Sequence, residues 1–190
     1  MAEILLQRTT AAAVTRAYIG FLKRYPSWFS LAQSPLVDLE NALRQLGLWR
    51  QKALAFQRLA LTIEMNGGIA PGTRKELERL PGIGPYTASA VLAIVYGRAQ
   101  PLLDANMARL LGRFLGPSEG IETKSKRTLH TSALRLVRSQ RGLEVNWAAL
   151  DFGALVCRAR HPLCPACPLR ARCQYAIARQ PRPTSNEGVL

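Results

Sequence analysis

The sequence predicts an all-α fold. Three observations carry that expectation. Apolar residues recur at helical spacing, as at Leu36, Leu39 and Leu43. No stretch alternates apolar and polar residues convincingly enough for a half-buried strand. Pro26, Pro35, Gly67-Gly68 and the Pro81–Pro85 stretch fall between the periodic segments, where helices start and stop.

Residues 3–24 are periodic in Ile4, Leu5, Val14, Tyr18, Phe21 and Leu22. Thr9 and Thr10 followed by three alanines predict one helix ending near Arg8 and a second starting on a threonine cap. Pro26 and Ser27 break the pattern. Pro35 opens a helix running to about Gly47. Residues 50–66 form the next, stopped by Gly67 and Gly68. A short helix over Thr73–Leu80 leads into Pro81-Gly82-Ile83-Gly84-Pro85, and Thr87 to Tyr96 resumes as an alanine-rich helix. Asp104 stands at the start of a further helix, where its side chain can act as the N-cap. Lys124–Arg138 is amphipathic and basic, Asn146–Val156 is the last apolar helix, and the tail after Ala178 is expected to be loose.

At 190 residues and 48% hydrophobic content, the chain can bury one sizeable core or two small lobes, and it is not a disordered composition. No apolar run reaches the ~18 residues of a membrane helix. The first residues lack the basic and apolar regions of a secretion signal, so a cytoplasmic, nucleoid-associated protein with no membrane partner is expected. Lys and Arg number 26 against 12 Asp and Glu, a net charge of +14. That excess points to a polyanion, most simply nucleic acid, with a solubility charge or a ribosome-associated role as the alternatives.

Two local patterns carry chemistry. Gly82 and Gly84 flank Ile83 between two helices, where glycine lets another chain approach the backbone and the next helix start turns its N–H groups outward. They suit a phosphate; a plain corner with Ile83 plugging the core is the alternative. Cys157, Cys164, Cys167 and Cys173 span 17 residues as C-x6-C-x2-C-x5-C. One compact group in a chain without a secretion signal reads as a metal or cluster site rather than a disulfide framework.

The stretch LPGIGPYTASAVLAIVYG, followed by LLDANMARLLGRF, resembles the helix–hairpin–helix DNA glycosylases of the endonuclease III and MutY superfamily, and the resemblance runs from Glu3 to Cys173. It implies a two-lobed helical fold ending in an iron–sulfur loop over residues 157–173. Residues 10–120 would form the hairpin lobe, and residues 1–9 with 121–190 the second. The cysteine spacing matches that family's [4Fe–4S] loop, with structural zinc as the alternative ligand. Asp104 matches the family's catalytic aspartate, which stabilises positive charge on the deoxyribose as the base leaves. Tyr86 stands where strand-cleaving members carry a lysine, so the resemblance implies base excision alone, with Tyr86 stacking on or orienting the flipped nucleotide. Glu3 matches a glutamate of the base pocket; a solvated residue is its alternative. Gln7 and Arg8 match the region that fills the gap left by the flipped base. Trp147 matches a wedge residue, with core packing as its alternative. The chain starts two residues before Glu3, whereas the family carries a further segment ahead of that motif.

Within the family, ILLQRTT and LDANMARLL are more similar to thymine/uracil mismatch glycosylases than to MutY-like enzymes. The implied function is removal of thymine or uracil opposite guanine from double-stranded DNA, by a monomer. An adenine glycosylase acting opposite guanine or 8-oxoguanine, a non-catalytic damage-binding protein and a zinc-stapled regulator are the competing readings.

Overall fold

The computed structural model describes residues 1–116 and 126–179, and every regular element among them is helical. The helices are α1 (Ala2–Leu6), α2 (Ala11–Arg24), α3 (Trp28–Gln33), α4 (Leu36–Leu43), α5 (Trp49–Met65), α6 (Arg74–Leu77), α7 (Pro85–Ile94), α8 (Ala105–Leu115), α9 (Lys126–Val137), α10 (Gly142–Leu155) and α11 (Gln174–Ile177). Short 3₁₀ turns occupy Cys164–Ala166 and Arg170–Arg172. No described helix is long and apolar enough to cross a membrane.

Local chemistry sets most boundaries. Thr10 caps α2 by accepting the Ala13 N–H, and Thr73 caps α6 by accepting that of Glu76. α5 ends in two glycines of positive φ, with the Gly68 N–H returning to the Ile63 carbonyl at 2.9 Å. Helix α3 goes beyond the sequence expectation, in which Pro26 and Ser27 only broke the pattern. Ser27 instead builds a reciprocal capping box with Ser30 and starts a new helix. α4 ends at Leu43, earlier than expected, and α10 begins at Gly142 rather than near Asn146.

The chain forms two compact units, Met1–Arg98 and Ala99–Leu190. In the first, α5 packs against α3 and α4. Its Phe56, Leu59 and Ile63 are buried, each burial contributing about 1.5–3 kcal/mol, and Phe21 meets Phe56 at 5.1 Å between ring centroids. In the second, α8 packs against α9, α10 and α11 around Met107, Leu111, Ala133 and Ala149. This division differs from the expected one, which grouped residues 1–9 with 121–190. Ile4 and Leu5 are buried in the first unit's core, and α1 packs on α2, α5 and α7. The expected helix start at Lys124, the lobe boundary at residue 120 and the loose tail beyond Arg179 lie outside the described residues.

Candidate functional site

In the second unit, Asp104 is the N-cap of α8. Its Oδ1 accepts the Met107 N–H and its Oδ2 accepts Asn106 Nδ2, each at 2.8 Å. Both oxygens are engaged, so the half-buried carboxylate is held in one orientation at the positive end of an eleven-residue helix. Capping and chemistry are compatible roles, because each oxygen keeps lone-pair capacity for a developing cation.

Behind Asp104 a chain of hydrogen bonds runs along α8. Arg109 Nη2 donates to Asn106 Oδ1 at 2.8 Å and to the Gly153 carbonyl at 2.7 Å, and its Nε donates to the Cys157 carbonyl at 2.8 Å. Gly153 is required where α10 meets α8. A Cβ there would lie 2.9 Å from both Asn106 Cβ and the Asn106 carbonyl oxygen. Neither Asn106 nor Arg109 was singled out from sequence. The available signal was their spacing of three residues on one helix, which makes Asn106 and Arg109 neighbours on its surface.

The four cysteines form no disulfide and line a single hollow together with Leu110, Phe114, Phe152 and Tyr175. Arg113 ties the loop down. Its Nη1 donates to the Arg158 carbonyl at 2.6 Å and lies 3.5 Å from Cys157 Sγ, its Nη2 donates to the Ala159 carbonyl at 3.1 Å, and the guanidinium stacks 4.7 Å from the Tyr175 centroid. Among the described residues, no three Cys, His, Asp or Glu side chains converge on one metal-ion position. A single zinc would need its four sulfurs about 4 Å apart, given Zn–S bonds of about 2.3 Å in a tetrahedron. Four cysteines lining one hollow are a donor set that suits an iron–sulfur or a zinc centre.

In the first unit, Gly82 takes φ +76° and Gly84 is the extended N-cap of α7, with Pro85 in the first turn and no side-chain cap. The glycines are exposed, whereas the Ile83 side chain packs against the core. Ile83 thus plugs the corner, and its N–H donates to the Leu80 carbonyl at 3.2 Å. Tyr86 is half-buried at the second position of α7. Gln7 Nε2 donates to the Gly82 carbonyl at 3.3 Å, linking the turn after α1 to the hairpin. Arg8 is exposed at φ +51°. Beneath this turn the buried Lys52 donates to the Gly47 carbonyl at 2.6 Å and to Thr9 Oγ1.

Glu3 lines an apolar pocket with Trp28, Leu77, Ile83 and Val91. Burial raises its carboxyl above the usual range, partly opposed by the Met1 ammonium. Glu3 is half-buried rather than fully solvated. Trp147 lies on α10 and is 48% exposed, so its expected core-packing alternative does not hold.

Comparison with known proteins places these features in context. The family described as HhH-GPD superfamily base excision DNA repair protein matches residues 1–135. A thymine-DNA glycosylase from Aeropyrum pernix is 38% identical over 183 residues, covering 92% of this chain and 80% of the relative. The human adenine DNA glycosylase is 32% identical over 176 residues, covering 92% of this chain and 32% of that protein. The solved structure of a thermostable thymine-DNA glycosylase superposes with a TM-score of 0.88 at 31% identity, covering 93% of this chain and 82% of that one.

Proposed function

Because the chain belongs to the HhH-GPD superfamily of base excision DNA repair proteins, we propose that it is a monofunctional DNA glycosylase removing thymine or uracil mispaired with guanine. The observation that carries the reading is Asp104, a carboxylate fixed at both oxygens on the helix start. The C1′–N bond breaks with its electron pair leaving on the base. The sugar becomes cationic, and the Asp104 carboxylate stabilises that charge. Water then adds at C1′ and loses a proton, the departing base anion takes one up, and the products are an abasic site and the free base.

The other residues serve this step. Gly82 and Gly84 bring backbone N–H groups to a phosphate without reading sequence. The target nucleotide leaves the stack at a cost of about a few kcal/mol, least for a mispaired base, which itself favours mismatches. Gln7, Arg8 and Trp147 fill or wedge the gap, and Glu3 offers a hydrogen-bonding group to the base edge within an apolar pocket. Tyr86 carries no amine, so it forms no imine with the sugar and the strand stays intact.

Cys157, Cys164, Cys167 and Cys173 would hold a [4Fe–4S] cluster, which would fold a loop bearing Arg158, Arg160, Arg170 and Arg172 into a phosphate-facing surface. The protein acts as a monomer on nucleoid DNA in the cytoplasm, in keeping with its +14 charge.

Duplexes bearing G·T, G·U, A·8-oxoguanine and an oxidised pyrimidine test the assignment. Alkali-labile breaks at G·T and G·U, absent without alkali, are expected. Cleavage at A·8-oxoguanine alone would move the enzyme to the adenine class, which its likeness to the human adenine DNA glycosylase keeps as the second reading. No product from any duplex would leave only a binding protein. A purified protein without absorbance near ~400 nm would overturn the iron–sulfur assignment in favour of zinc.

A further inference from the structure

Asn146 lies inside α10 and is 1% exposed. Asparagine is a poor choice for a buried helix interior, because its amide must find partners away from water. Here both ends of that amide go to one short segment. Oδ1 accepts the Leu102 N–H at 2.8 Å, and Nδ2 donates to the Gln100 carbonyl at 2.9 Å.

The segment so gripped is the one that delivers Asp104. Residues 100–104 belong to no helix, so their backbone groups depend on partners from elsewhere. Pro101 has no N–H to give and is buried with Leu102. The Leu102 carbonyl in turn accepts the Asp104 N–H at 2.9 Å. Leu102 is therefore held by Asn146 on one side of its peptide and by Asp104 on the other.

We propose that Asn146 is a positioning residue for the glycosylase reaction, setting the place of Asp104 by clamping the Gln100–Leu102 backbone to α10. The inference rests on the reading of Asp104 as the catalytic carboxylate. Asn106 and the Met107 N–H orient the Asp104 side chain from within α8; Asn146 fixes the backbone from which it departs. A displacement of about 1 Å at such a group costs roughly 100-fold in rate while leaving the contacts that bind DNA in place.

The test compares wild type, Asn146→Ala, Asp104→Asn and the double variant. Each is measured for single-turnover excision from a G·U duplex and for affinity toward the same duplex carrying non-cleavable 2′-fluoro-2′-deoxyuridine. Asn146→Ala is expected to lose about 10- to 100-fold in rate with affinity unchanged. Amide exchange at Leu102 and Asp104 should accelerate. On the slow residual reaction of Asp104→Asn, adding Asn146→Ala should change nothing further, because no carboxylate remains to be misplaced.

A wild-type rate in folded Asn146→Ala overturns the inference, as does an undiminished loss in the Asp104→Asn background. If Asn146→Ala does not fold, Asn146→Asp takes its place, keeping the volume and the acceptor for Leu102 but losing the donor to Gln100. The same split of rate from affinity is expected, and a wild-type rate again overturns the inference. Full excision by Asp104→Asn defeats the catalytic reading itself, which separates that failure from a failure of Asn146.

Discussion

Asn106 Nδ2 donates to Asp104 Oδ2 at 2.8 Å on the first turn of α8. That bond does work the N-cap does not, since the Met107 N–H reaches only Oδ1. Asn106→Ala should free one carboxylate oxygen to rotate away from the sugar. A hydrogen bond to a charged group contributes about 1.5–3 kcal/mol, so a 10- to 100-fold fall in single-turnover rate is expected. Arg109 keeps its bonds to the Gly153 and Cys157 carbonyls, so the loop it holds and DNA affinity should persist. Quenched-flow excision of a G·U duplex checks this, and an unaltered rate would show that the bond is incidental.

Gly153→Ala should act on the same group from the other side. Its new Cβ would press at 2.9 Å on the Asn106 backbone and Cβ, which are not the far end of a flexible side chain and cannot yield cheaply. Overpacking of this kind costs about 1–3 kcal/mol. Gly112→Ala is the matched control, since a Cβ there meets nothing within 4 Å. It should be neutral, or stabilising by up to about 1 kcal/mol through helix propensity. Denaturant unfolding of the two variants should give opposite or clearly unequal shifts, and equal shifts would contradict the packing account.

What the sequence made legible follows from what is local. Caps, glycine stops and apolar spacing lie within a few residues of the helices they define, and so α2, α5 and α7 were readable. α3 was hidden because its start signal is a serine pair that also reads as a loop. Asp104 and the cysteines were legible through motif spacing. Asn146 was not, since its partners lie 44 and 46 residues away and nothing near it marks the pairing. Residues 1–9 were placed in the other lobe for the same reason: burial of Ile4 and Leu5 is a long-range fact.

Glu3 gives a pH signature. Burial raises its folded-state pKa above the ordinary value near 4.5. Between those two values the folded protein binds more protons than the unfolded chain, so stability falls as pH rises through that window. Below 4.5 the carboxyl is neutral in both states and the penalty vanishes. Glu3→Gln carries no such charge and should not show the trend. Urea unfolding of both proteins between about pH 4 and 7 should find the glutamine variant gaining on wild type as pH increases. A constant difference across that range would place Glu3 in solvent.

Lys52 should prove to be the support of the turn that carries Gln7 and Arg8. Its ammonium donates to the Gly47 carbonyl at 2.6 Å and to Thr9 Oγ1 from a position 3% exposed. Lys52→Met keeps the length and apolar stem but orphans both acceptors, at a cost of about 1–3 kcal/mol in stability. Released from below, the turn should also lose the register in which Gln7 Nε2 meets the Gly82 carbonyl. Lys52→Arg retains a donor but adds bulk against the Gly47 backbone, where a Cβ on Gly47 would already meet the Arg8 carbonyl at 3.3 Å, so rescue should be partial. The measurement is affinity for a G·U duplex against a G·C duplex. Loss of the mismatch preference in Lys52→Met, with binding to G·C retained, is the expected result. An equal loss on both duplexes would assign Lys52 to general folding rather than to the turn.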